Sequence, residues 1–136
     1  MRILIIDDDM SYSFIKLLSY ETGGDIIQAN SVTTAIAEIS NKEIPYDFVI
    51  LDIMMPVQIN EYQFIDDSSG QFTGLKLLDF FNDKLEIDIP IIVMTARCDL
   101  ASVLANKKNV IAYLRKPTSV EEIVRIINNQ INTTTN

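Results

Sequence analysis

Residues 48–56 read Phe48-Val-Ile-Leu-Asp52-Ile-Met-Met-Pro56: four apolar residues in succession, a carboxylate, and soon afterwards a proline. An apolar run of this length without polar alternation marks a strand buried on both faces, as the central strands of parallel sheets are. The same pattern stands at 91–94, where Ile-Ile-Val-Met precedes Thr95, and at 3–6, where Ile-Leu-Ile-Ile precedes Asp7, Asp8 and Asp9. With the β-rich runs 26–29 and 110–114, five strands are predicted. Between them the apolar positions change to helical spacing, at Val32, Ala35, Ile36 and Ile39 and again at Val120, Ile123, Val124, Ile127 and Ile131. Ser119 followed by Glu122 is a capping box for the last helix. Further helices are expected over 11–20, 73–82 and 99–107, with Thr73 and Asp99 as caps. Regular alternation of strand and helix predicts an α/β doubly wound, five-stranded parallel sheet joined by right-handed crossovers.

A chain of 136 residues is one domain's worth. Its 48% hydrophobic and 22% charged content excludes an intrinsically disordered chain. Eleven Lys and Arg against nineteen Asp and Glu leave a net charge of −8, which repels nucleic acid and anionic lipid, so neither nucleic acid nor membrane is expected as a partner. The sequence holds no His, which removes Ser-His-Asp and Cys-His catalysis, HExxH-type zinc sites and any histidine phosphodonor role. Cys98 stands alone, so no internal disulfide forms, and the expected location is cytoplasmic. No apolar run approaches the ~18 residues of a membrane span. One stretch breaks the strand–helix rhythm: 57–72 is long for a connection, and its Asp66, Ser68, Ser69 and Gly70 suggest the turn of an added hairpin. The expected organisation is one domain over 1–131, with an insertion at about 57–73 and a flexible tail at 132–136.

Ligands of open α/β sheets bind beyond the carboxyl ends of the strands. There the sequence places Asp7 and Asp8, Asp52, Thr95, and Lys116 followed by Pro117. If the strand order is 2-1-3-4-5, strands one and three are neighbours and three carboxylates converge, which is unfavourable unless a cation sits among them. An all-oxygen donor set without His or Cys suits Mg²⁺. Three carboxylates, one Mg²⁺ and Lys116 sum to zero charge.

The ordered set Ile-Leu-Ile-Ile-Asp7-Asp8-Asp9, Phe-Val-Ile-Leu-Asp52-Ile-Met-Met-Pro56, Ile-Ile-Val-Met-Thr95-Ala96 and Ala-Tyr113-Leu-Arg-Lys116-Pro117 resembles the receiver domain of two-component response regulators, over nearly the whole chain. The resemblance implies a flavodoxin-like receiver fold that stands alone. It implies Asp52 as phosphoacceptor, with Asp8, Asp52 and the Met54 backbone carbonyl as Mg²⁺ ligands and Asp7 acting through a metal-bound water. Thr95 and Lys116 would each bond a phosphoryl oxygen, Thr95 and Tyr113 would act as the switch pair, and the Lys116–Pro117 bond would be cis. Such a protein is a phosphoacceptor switch rather than a turnover enzyme, at most assisting its own phosphorylation and dephosphorylation. The implied partners are a histidine kinase or histidine phosphotransfer protein, a downstream protein target, and a second copy paired through the last helices and strands.

The sequence departs from the pattern in two places. The family's Met-Pro is soon followed by a Gly opening the next helix, whereas here that Gly is Gly74, beyond residues 57–73. After Lys-Pro the chain has Thr118 instead of an aromatic. The alternative function is a receiver-like interaction module that works without phosphorylation. An aspartate-nucleophile phosphatase fits poorly, because Met54 stands where that class has a second acid. A flavodoxin-like carrier fits no better, because three Asp replace the phosphate loop.

Overall fold

In the computed structural model, which describes residues 1–66 and 69–134, each of the five apolar runs forms a strand. They are β1 (Arg2–Ile6), β2 (Asp25–Ala29), β3 (Phe48–Leu51), β4 (Ile91–Thr95) and β5 (Val110–Arg115). All pair in parallel in the order β2-β1-β3-β4-β5. Successive side chains of a strand point to opposite faces, and the apolar residues divide accordingly. Leu4, Ile6, Val49, Leu51, Ile91 and Val93 join one buried cluster, and Ile3, Ile5, Phe48, Ile50, Ile92 and Met94 the other. Helices α2 (Val32–Ser40), α3 (Thr73–Asp83) and α4 (Ala101–Leu104) supply the first cluster, through Val32, Ala35, Ile39, Leu77, Leu78, Phe81 and Leu104. Helices α1 (Tyr12–Thr22) and α5 (Val120–Thr134) supply the second, through Leu18, Val120, Ile123 and Ile127. The sheet is therefore covered on both faces.

Helix starts follow local chemistry. Ser11 caps α1 by accepting from the Phe14 N–H at 3.2 Å, and Ser31 caps α2 by accepting from the Thr34 N–H at 3.1 Å. Ser119 accepts from the Glu122 N–H, but the Glu122 carboxylate goes to Arg125 and does not return to the cap. Gly23 ends α1 in the left-handed conformation at φ 67°. The Lys116–Pro117 peptide is cis.

Four expectations need correction. Thr73 is the first residue of α3 rather than its cap, because its hydroxyl donates to the Met55 carbonyl. Asp99 does not cap α4; its carboxylate is taken by Arg97 at 2.6 Å, and the helix shortens to Ala101–Leu104 without a side-chain cap. The final helix runs on to Thr134 through most of the expected tail, since Ile131 continues the apolar stripe of Ile123 and Ile127 and packs against the second cluster. Of that tail, residues 135–136 lie outside the described residues. The insertion forms no strand among its described residues, so the expected hairpin is replaced by a 3-10 turn (Ile59–Glu61) and irregular chain; Ser68 lies outside the described residues.

The insertion nevertheless packs. Ile65 is buried in the first cluster, and Phe64 meets Phe80 of α3 edge to face, with ring centroids 6.0 Å apart. Its two ends are joined where the Met55 N–H donates to the Gly70 carbonyl at 3.1 Å. Gly74 then restarts the scaffold. A Cβ there would lie 2.3 Å from the Asp52 carbonyl oxygen and 2.6 Å from the Ile53 Cα, so only glycine lets α3 begin against the end of β3.

Candidate functional site

Register brings the strand-end residues together. The Ile6–Leu51 pairing of β1 and β3 puts Asp7 and Asp52 side by side one step further on, where the Asp52 N–H donates to the Ile6 carbonyl at 3.0 Å. The Lys116 N–H donates to the Thr95 carbonyl at 2.8 Å, which holds the end of β5 against that of β4. Carboxylate oxygens of Asp7, Asp8 and Asp52 lie within 4.8 Å of one another. Lys116 Nζ reaches Asp7 Oδ2 at 2.7 Å and Asp52 Oδ2 at 3.0 Å. Asp7 and Asp52 are almost wholly buried, at 1% and 7% exposure, while Asp8 faces solvent.

The remaining oxygens are sparsely served. The Asp9 N–H donates to Asp7 Oδ1 at 2.8 Å and the Met54 N–H to Asp52 Oδ1 at 3.1 Å. Among the described residues, Lys116 is the one cation within ion-pair distance of Asp7 and Asp52. Burial raises the Asp52 carboxyl above the usual carboxylate range, and the nearby Asp7 charge adds to this, while Lys116 and the Met54 N–H pull the other way without prevailing. Burial alone would lower the Lys116 ammonium, but its hydrogen bonds to Asp7 and Asp52 outweigh it and hold the group above the ordinary lysine value. A cluster of three hard oxygen donors served by one shared ammonium keeps an excess of negative charge. That donor set suits Mg²⁺.

Thr95 and Tyr113 meet at Arg97. The Thr95 side chain, fully buried at the end of β4, accepts from the Arg97 N–H at 3.3 Å, and the Tyr113 hydroxyl donates to the Arg97 carbonyl. The Arg97 side chain is engaged by groups outside the acidic cluster. It pairs with Asp99, donates to the Gln71 carbonyl at 3.0 Å and lies 4.5 Å over the Phe72 ring. Met54 is 41% exposed.

Sequence reasoning missed Glu61. Its carboxylate is buried and accepts from the Thr33 N–H and Thr33 Oγ1, both at 2.6 Å, and from the Gln58 N–H at 2.9 Å. This fastens the insertion to the first turn of α2. The only local signal was a Glu three residues after Gln58, an N-terminal capping pattern with Gln in the cap position.

No protein-family model matches the sequence, and no curated protein matches it. Solved structures do match, over nearly the full length. The receiver domain of Francisella response regulator 1452 is 27% identical, with a TM-score of 0.73, and the match covers 98% of both chains. A two-component response regulator from Clostridium difficile is 23% identical with a TM-score of 0.76, covering 100% of this chain and 99% of that one. A response regulator receiver domain protein from Methanospirillum hungatei JF-1 is 23% identical with a TM-score of 0.74, covering 97% and 94%. The chain has the response-regulator receiver fold. The acidic cluster of this receiver fold lies at the carboxyl end of the sheet, and among the described residues no helix is long and apolar enough to cross a membrane.

Proposed function

We propose that the protein is a phosphorylation-activated switch of a two-component relay. It accepts a phosphoryl group on Asp52 from a histidine kinase or histidine phosphotransfer protein and passes the signal by protein binding or onward phosphotransfer. The observation that carries this reading is the state of Asp52. It is a buried carboxylate at a sheet's carboxyl end, held by one backbone N–H and by an ammonium it shares with Asp7.

An Asp52 oxygen attacks the phosphorus of the donor's phosphohistidine. An O–P bond forms as the N–P bond breaks, and the electron pair leaves on the imidazole nitrogen. Asp8, Asp52 and the Met54 carbonyl would hold Mg²⁺, with Asp7 beside them, and the bound ion would neutralise charge on the phosphoryl oxygens. Lys116 supplies a fixed cation to one phosphoryl oxygen, and Thr95 supplies a hydroxyl to another. The single domain, through the end of α5, forms the signalling unit. The output is binding, so the protein acts as a switch and not as a turnover enzyme.

The test is intact-mass analysis after incubation with a small phosphodonor and Mg²⁺. The intact protein should gain one acid-stable, base-labile phosphoryl group, and Asp52→Asn should gain none. Absence of uptake by the intact protein would favour an interaction module independent of phosphorylation.

A further inference from the structure

Besides the packing of Ile65 and Phe64, the Met55–Gly70 bridge and the Lys76 ammonium on the Asp66 carbonyl, the insertion has two side-chain holds of opposite character. At Glu61 the hold is buried: one carboxylate takes three donors, two of them from the start of α2. At its far end the hold is a surface contact, made by the Arg97 side chain to the Gln71 carbonyl and the Phe72 ring. Arg97 is also the residue whose main chain joins Thr95 to Tyr113, with its N–H on the Thr95 hydroxyl oxygen and its carbonyl under the Tyr113 hydroxyl. One residue therefore carries the switch pair on its backbone and the insertion on its side chain.

We infer that Arg97 is a latch through which the Thr95–Tyr113 pair controls the insertion, which pivots on the Glu61 anchor when the latch opens. The inference rests on the proposed phosphoacceptor role of Asp52. A phosphoryl group there gives the Thr95 hydroxyl a strong acceptor on the pocket side. As the hydroxyl turns toward it, the Arg97 N–H loses its acceptor and the loop after β4 shifts. The guanidinium is then drawn off Gln71 and Phe72. The surface hold yields first, because its partners are solvent-accessible, whereas breaking the Glu61 anchor would leave three donors and a carboxylate buried without partners. The output is a rearranged segment 69–72 beside Met55 and Arg97, with the 3-10 turn fixed in place.

Amide hydrogen exchange on the full chain tests this, with beryllofluoride and Mg²⁺ standing in for the phosphoryl group. In the intact protein the reagent should speed exchange at Gln71 and at Met55, whose N–H bridges to Gly70, and leave Thr33 and Ile65 at the Glu61 anchor unchanged. Arg97→Ala should exchange fast at Gln71 and Met55 without reagent and show no further change with it, while the Thr95 amide still responds. Phe72→Leu, which keeps an apolar side chain but removes the ring under the guanidinium, should shift the untreated protein part of the way. If Thr95 responds in the intact protein while Gln71 and Met55 do not, or if both variants match the intact protein, the latch is refuted and the phosphoacceptor reading stands. If Thr95 and Met54 do not respond either, the phosphoacceptor reading fails and the latch with it.

Discussion

Asp52 and Glu61 are both acids withdrawn from water, one at the end of β3 and the other in the insertion that follows it. Their surroundings treat the carboxylate in opposite ways. Glu61 accepts from three donors, two of them from Thr33 at the positive end of α2 and one from the Gln58 N–H. Burial pushes its pKa up, yet the Thr33 hydroxyl and the Gln58 and Thr33 N–H groups outweigh that and hold it below the usual range. Asp52 has one N–H and a shared ammonium, so burial prevails and its pKa is raised. The difference separates two uses of a buried carboxylate. A saturated one fastens structure and offers nothing to a ligand, whereas an under-served one is relieved by a cation or a phosphoryl group.

The largest expected contrast is in phosphoryl uptake. Asp52→Asn should abolish it and Glu61→Gln should leave it intact when both are measured by intact mass; equal loss in the two variants would erase the distinction. Next is the response to metal. Mg²⁺ at a hundred times its dissociation constant should raise unfolding stability by about 2.7 kcal/mol through mass action. Urea unfolding should show that gain in full for Glu61→Gln and reduced for Asp8→Ala.

Without metal the two acids should affect stability with opposite sign. Glu61→Ala leaves the Thr33 and Gln58 donors without their partner and should cost about 2 kcal/mol, by the usual penalty for buried unsatisfied groups. Asp52→Asn removes a charge that the fold disfavours and should stabilise the metal-free protein at neutral pH. The pH dependence follows the same signs. The stability that Glu61 contributes is fully present above its unfolded-state pKa of about 4.3 and is lost as pH falls through its lower folded value. The penalty from Asp52 is full above its raised folded value and is relieved as pH falls through it. Difference curves of unfolding free energy against pH, intact protein minus each variant, should therefore slope in opposite directions on the acid side. The smallest effect concerns Met54. Its apolar side chain at the pocket mouth cannot orient water, so Met54→Asn should modestly hasten loss of the phosphoryl group, read as the decay of the phosphorylated mass peak.

The same contrast explains what could be read from the sequence. Asp7 and Asp52 were legible because each directly follows an unbroken apolar run, and Lys116 because it follows the last strand and precedes a proline; a parallel sheet fixes where such residues end up. The strand order was legible for the same reason, since alternating strand and helix leaves few topologies. The insertion was not, because its hold on the scaffold comes from pairings distant in sequence. Glu61 meets Thr33, and Gln71 meets Arg97. Its turn-forming residues suggested a hairpin, but burial of Ile65 and the Phe64–Phe80 contact draw the segment onto α3 instead of letting it pair with itself. The short α4 has a similar cause, with Asp99 spent on an ion pair and unavailable as a cap.

The central claim is that Asp52 and its neighbours form a site that Mg²⁺ and a phosphoryl group fill together. Amide NMR during titration with beryllofluoride, with and without Mg²⁺, addresses it most directly. The account predicts coupled shifts at Asp52, Met54, Thr95 and Lys116 only when both reagents are present, none of them in Asp52→Asn, and quiet resonances for Thr33, Gln58 and Ile65 around Glu61. Shifts that ignore Mg²⁺, or that persist in Asp52→Asn, would contradict it.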